Sequence, residues 1–235
     1  MSQNRELLPS PETQFPQIIV IDFDRTLGDV EASMERFYQA ATLVGIETDD
    51  IKEARKKVED DGGSFEPLRY VKQKLSTDTY GQFREHFVYA STPAILYPDA
   101  PAFLETVKNV PHCVLTYGVN AEWQELKIAA SGYTGPFTVT AAAKKGKMLS
   151  TWKNADNEYV LQRENGIQVS APSLCLIDDK ASAFEGLGTD CSGFLLQREG
   201  FLLASQRGEI PAGVTVIRSL SELAIVDNQL QKVEI

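Results

Sequence analysis

The sequence predicts an α/β protein: a Rossmann-like parallel sheet sandwiched by helices, carrying a small inserted α-helical domain. Three observations predict it. Strand-length apolar runs recur along the chain, helical stretches separate them, and one interval is far too long for a single crossover helix. Four runs have the continuous apolar character of strands buried on both faces. They are Ile18 to Ile21, Cys113 to Leu115, Phe137 to Val139, and Leu174 to Ile177. Runs at Gly193 to Leu196 and Val214 to Ile217 extend the sheet as edge strands. Residues 121–131, AEWQELKIAAS, place Trp123, Leu126 and Ala129 or Ala130 on one helical face, and KASAFEGLG after the fourth run predicts another helix. Pro98 to Asn109 forms one more.

Residues 22–112 separate the first two runs, and helical periodicity recurs four times inside them. Met34, Phe37, Ala41 and Val44 keep 3–4 spacing, as do Ile51, Ala54 and Val58. Phe65, Leu68, Val71 or Lys72, and Leu75 form a third set; Tyr80, Phe83 and Phe87 form a fourth. Gly45, Gly62-Gly63, residues 76–78 and Pro93 punctuate them. The division predicted is a flexible leader over 1–16, a core from 17–29 and 94–235, and a helical cap over 30–93.

Composition narrows the function. With 43% hydrophobic and 24% charged residues in 235, the chain has the make-up of a globular protein. No apolar run approaches membrane-spanning length, and the N-terminus lacks a signal-peptide pattern, so a cytoplasmic protein is expected. A net charge of −10 argues against nucleic-acid binding, which needs a basic footprint, yet leaves room for a small anionic substrate. Cys113, Cys175 and Cys191 show no metal-ligand spacing and read as small buried hydrophobes.

Four strand ends carry chemistry. The first run ends in Asp22-Phe23-Asp24-Arg25-Thr26-Leu27, two carboxylates at the edge where open parallel sheets bind ligands. The second ends in Thr116-Tyr117-Gly118, and the third leads to a basic cluster of Lys144, Lys145 and Lys147. The fourth ends in Asp178-Asp179, adjacent charges that are costly after an apolar strand unless a cation compensates them. Gathered carboxylates of this kind call for a hard divalent cation, and oxygen-only ligation suits Mg²⁺.

The order of these elements, DFDxTL, strand-end Thr, Lys, strand-end Asp-Asp, resembles the haloacid dehalogenase superfamily of phosphatases over residues 17–224. The insertion sits where members with a helical cap carry theirs. The resemblance implies a Mg²⁺-dependent phosphatase acting on a small phosphorylated metabolite. Asp22 is then the nucleophile that forms an aspartyl-phosphate, and Asp24 the proton donor and acceptor. Asp22, the Asp24 backbone carbonyl, and Asp178 or Asp179 hold the metal, while Thr116, Tyr117 and a lysine bind the phosphoryl group. Lys145, which precedes a glycine at a helix start, is the favoured lysine, with Lys147 and then Lys144 behind it. Arg25 departs from the family pattern, where many members have glycine, and either alters the turn or reaches the substrate. A phosphotransferase or phosphomutase differs only in the acceptor. A dehalogenase needs neither Asp24 nor the acidic pair, and a non-catalytic binding module needs none of the set. Five basic residues of the insertion, Arg36, Arg55, Arg69, Lys72 and Arg84, are candidates for substrate contact.

Overall fold

A computed structural model describes residues 15–162, 168–198 and 209–234. Of the leader predicted over 1–16, all but Phe15 and Pro16 lies outside these residues. The fold rests on six parallel strands in the order β3-β2-β1-β6-β7-β8. They are β1 (Gln17–Ile21), β2 (His112–Tyr117), β3 (Phe137–Thr140), β6 (Ser173–Asp178), β7 (Cys191–Leu196) and β8 (Val214–Ile217). Central β1 pairs Ile21 with Val114 on one side and with Ile177 on the other. Because all three strands run the same way, the residues that follow them emerge at one edge. That register is what brings Asp22, Thr116 and Asp178 together.

Alternation along β1 divides the interior in two. Ile19 and Ile21 face one apolar cluster, Ile18 and Val20 the other, and all four are fully buried. The first cluster also takes in Phe37 of α1 (Val30–Leu43), Phe87 of α4 (Thr77–Tyr89), Phe103 of α5 (Ala100–Val107) and Leu126 of α6 (Ala121–Ser131). The second face is covered differently from the expectation of helices on both sides. It carries the one-turn α7 (Lys145–Leu149), an antiparallel hairpin of β4 (Tyr159–Gln162) and β5 (Gln168–Ala171), and a 3-10 turn at Ala181–Phe184. The helix expected in KASAFEGLG shrinks to that 3-10 turn because Gly186, at φ +76°, stops it. β3 is the outermost strand, so Phe137 is 40% exposed rather than buried. A second hairpin, β9 (Leu223–Val226) with β10 (Gln229–Lys232), turns through Asp227 and Asn228, both at positive φ.

The interval between β1 and β2 holds α1, α2 (Thr48–Asp60), α3 (Pro67–Lys74) and α4, in agreement with the four periodic segments. Asp29 starts α1, its carboxylate accepting from the backbone N–H groups of Glu31 and Ala32 at 2.9 and 3.2 Å. The four helices do not stand alone. Phe37 of α1 and Phe87 of α4 pack edgewise and tilted on Trp123 of α6, with ring centroids 5.8 and 5.2 Å apart. Buried Arg36 donates to the carbonyls of Ala130 in α6 and Val88 in α4 at 3.1 and 3.3 Å. Glu122 of α6 accepts from Lys72 and, at 2.7 Å, from the Tyr80 hydroxyl. Truncating the fully buried Phe87 to alanine should therefore cost about 3–5 kcal/mol, as urea unfolding would show.

A third anchor secures the loop after β1. Arg198, just beyond β7, makes a two-pronged pair with Asp99 at 2.8 and 2.9 Å and donates to the Thr26 carbonyl at 2.9 Å. Its guanidinium lies 4.0 Å from the centroid of Tyr97. Burial acts to raise the Asp99 carboxyl, but Arg198, the Ser219 hydroxyl and the Leu220 N–H hold it below its usual range. Among the described residues no helix is long and apolar enough to cross a membrane.

Candidate active site at the strand edge

Three central strands, β1, β2 and β6, deliver polar side chains at this edge. Asp22 directly follows β1, and its N–H is fixed to the Ile177 carbonyl at 2.9 Å. The chain then turns sharply, with Arg25 at φ +64° and its N–H on the Gly28 carbonyl at 2.7 Å. The backbone there is left-handed, a conformation that favours glycine and that Arg25 adopts all the same. Thr26, fully buried, donates from its hydroxyl to Asp22 at 3.3 Å. Asp178 ends β6 and closes a turn by accepting from the Lys180 N–H at 2.8 Å.

Two separate networks result. In the first, Lys145 donates to Asp22 and, at 2.7 Å, to Asp178. All three are buried, as is Asp179. Oxygen atoms of Asp22, Asp178 and Asp179 lie within 4.8 Å of one another. The Asp22 and Asp178 carboxylates thus share one ammonium. Burial pushes the Asp22 carboxyl up to about 8; Lys145 opposes this, and Asp178 and Asp179 add to the rise. Burial acts to lower the Lys145 ammonium too, but Asp22 and Asp178 outweigh it and hold its pKa above the ordinary value. The donor set fits a hard divalent cation: oxygen only, anionic and converging.

The second network belongs to Asp24. Its carboxylate is held from α6, where Lys127 donates to both oxygens, the Oδ2 contact being 2.6 Å. Gln124 Nε2 donates to the same Oδ2 at 3.1 Å and to the Tyr117 carbonyl at 3.2 Å. The fully buried Thr116 hydroxyl reaches Gln124 Oε1 only at 3.5 Å. Lys127 and Gln124 escaped the sequence reading, since polar residues on a helix read as its solvent face. The available signal was their i, i+3 spacing on a helix that directly follows the Thr116 strand.

The three lysines of the basic cluster part company. Lys145 points inward because α7 begins there and Gly146 allows it. A β-carbon on Gly146 would stand 2.7 Å from the Leu187 nitrogen and 2.8 Å from the Glu185 carbonyl oxygen. Lys144 pairs with Glu185 on the surface, and Lys147 is exposed beside Gly186. Neither joins the carboxylates. A cavity of about 70 Å³ opens over Asp22, Asp24, Lys145 and Asp178, with Tyr117 and Lys180 at its sides. No residue of α1–α4 lines it. Of the five basic candidates in the insertion, Arg36 is buried against carbonyls, Arg55 pairs with Glu59, Arg69 with Glu66 and Lys72 with Glu122. Arg84 acts electrostatically on Tyr80 and Glu122. A wider groove of about 420 Å³ lies by the N-terminal end of β2, lined by His112 and Tyr133. His112 Nδ1 is 2.8 Å from the Val110 carbonyl.

No family model matches the sequence. No curated protein matches it either. Among solved structures, a protein described as a haloacid dehalogenase-like hydrolase from Burkholderia xenovorans superposes with a TM-score of 0.56 at 17% identity. It covers 88% of this chain and 94% of its own. A HAD-hydrolase from Bacillus subtilis, solved bound to magnesium, gives a TM-score of 0.49 at 14% identity, over 88% and 96% of the two chains. A HAD phosphatase from Thermococcus onnurineus gives 0.49 at 16%, over 88% and 95%. The shared feature is the fold, and the first superposition carries it.

Proposed function

From the premise that the chain has the haloacid dehalogenase-like fold, we propose that it is a Mg²⁺-dependent phosphatase of a small phosphorylated metabolite. The observation that carries the reading is the buried cluster of Asp22, Asp178 and Asp179 joined by Lys145. Asp22, Asp178 and Asp179, with the Asp24 backbone carbonyl, would hold the cation. When bound, Mg²⁺ neutralises the crowded carboxylates and the phosphoryl oxygens.

The chain's own groups then divide the work. An Asp22 oxygen forms a bond to phosphorus as the bond from phosphorus to the leaving oxygen breaks, and that oxygen takes a proton from Asp24. Water next attacks the aspartyl-phosphate and gives its proton to Asp24, releasing inorganic phosphate and restoring the Asp22 carboxylate. Lys145 offsets charge at Asp22 throughout, while the Thr116 hydroxyl and Tyr117, at the end of β2, face the phosphoryl group. Residues 30–93 serve as a cap that limits water at the site. With no residue of the insertion in the cavity, Tyr117 and Lys180 are the nearest candidates for reading the rest of the substrate.

EDTA should abolish hydrolysis of p-nitrophenyl phosphate and Mg²⁺ should restore it. Full activity in excess chelator would sink the reading.

A further inference from the structure

We infer that Lys127 is a positioning residue that fixes the carboxylate of Asp24 from helix α6, an inference that rests on the proton-transfer role proposed for Asp24. Lys127 is 2% exposed, and its ammonium donates to both oxygens of Asp24. The rings of Phe23 and Trp123 flank the same ammonium at 6.0 and 5.6 Å. A buried ammonium is costly without a dedicated partner, and Asp24 is the partner it has. Gln124, one turn earlier on the helix, adds a third bond to the carboxylate.

Backbone geometry makes room for this. A β-carbon on Gly118 would stand 2.5 Å from Gln124 Cγ, so only glycine lets the Gln124 side chain pass toward Asp24. Lys127 and Gln124 together hold both Asp24 oxygens, whereas Asp22 is gripped by Thr26 and Lys145. The two aspartates of one short motif are therefore oriented by different elements. Asp22 answers to its own loop and α7, Asp24 to α6. A proton donor misplaced by about 1 Å loses roughly 10²-fold in rate, so the bond to Lys127 bears directly on the step in which Asp24 acts.

The test is the leaving-group dependence of hydrolysis. Wild type, Lys127→Met and Asp24→Asn are compared on phenyl phosphate, p-nitrophenyl phosphate and 2,4-dinitrophenyl phosphate with saturating Mg²⁺. Poor leaving groups need the proton and good ones do not. Lys127→Met should lose roughly 10–100-fold in kcat on phenyl phosphate and about twofold or less on the dinitrophenyl ester. Adding Lys127→Met to Asp24→Asn should cause no further leaving-group-dependent loss. An equal loss on all three esters, or none on phenyl phosphate, overturns the inference. Lys127→Gln, which keeps a donor without the charge, replaces the methionine variant if that fails to fold. A wild-type protein inactive on all three esters would refute the phosphatase reading instead. Positioning would then be judged from the Asp24 side-chain conformation in a crystal structure of the Lys127 variant: an unchanged carboxylate overturns it, a reoriented one supports it.

Discussion

Asp22→Asn should eliminate turnover, with a fall in kcat on the order of 10⁶-fold, the scale of losing a covalent nucleophile. An amide cannot attack phosphorus as a carboxylate does. The fold should survive, because asparagine is nearly isosteric and its neutrality relieves repulsion from Asp178 and Asp179, which push Asp22 toward its protonated form. Circular dichroism and unfolding would check that half of the expectation. The companion variant, Asp24→Asn, should lose about 10²–10⁴-fold on esters with poor leaving groups. On p-nitrophenyl phosphate it should still form the aspartyl-phosphate slowly and then stall, since water has lost its base. Mass spectrometry of quenched Asp24→Asn should find a phosphate adduct on the peptide that holds Asp22. An adduct elsewhere, or an active Asp22→Asn protein shown free of deamidation, would overthrow the assignment.

Lys145→Met should have the next largest effect, and it acts on stability as well as rate. Lys145 lies between Asp22 and Asp178 with a side chain 3% exposed. Its removal leaves buried carboxylates without their ammonium, a change of about 3–5 kcal/mol in unfolding free energy. Loss of one preorganised electrostatic partner of the reacting group lowers kcat about 10²–10³-fold. The stability loss should be largest in EDTA and should shrink when Mg²⁺ is added, because a cation bound only by the folded state compensates the same charges. Lys144→Met and Lys147→Met, both exposed, should stay within about 0.5 kcal/mol of wild type. If either of them matched Lys145→Met in lost activity, the choice among the three lysines would be wrong.

Much of this arrangement was legible in the residues, for identifiable reasons. Parallel strands buried on both faces must be apolar throughout, so Ile18 to Ile21 and Leu174 to Ile177 announced β1 and β6 directly. Charged residues placed immediately after such runs can only emerge at the sheet edge, which is why Asp22, Asp178 and Asp179 were readable together. What escaped depends on contacts distant in sequence. Nothing in Lys144-Lys145-Gly146-Lys147 alone separates the inward lysine from its neighbours; the close passage of Gly146 against Glu185 and Leu187 does. Lys127 and Gln124 were silent because a helix's polar residues ordinarily face water. KASAFEGLG predicted a helix, but Gly186 in a left-handed conformation closes it after one turn. Short strands such as β4 and β5 carry too few residues for periodicity to speak.

The seam between the insertion and α6 bears on how far this protein can be taken apart. Phe37 and Phe87 meet Trp123, Arg36 is tied to Ala130, and Lys72 and Tyr80 both grip Glu122. Five residues after Glu122 on that same helix, Lys127 holds Asp24. Excising residues 30–93, or exchanging them for the insertion of another protein, would strip one side of α6 and leave Trp123 bare beside Lys127. The natural unit of transplantation is discontinuous: the insertion travels with α6, and a chimera that joins them from different parents inherits a mismatched seam one turn from the Lys127–Asp24 pair.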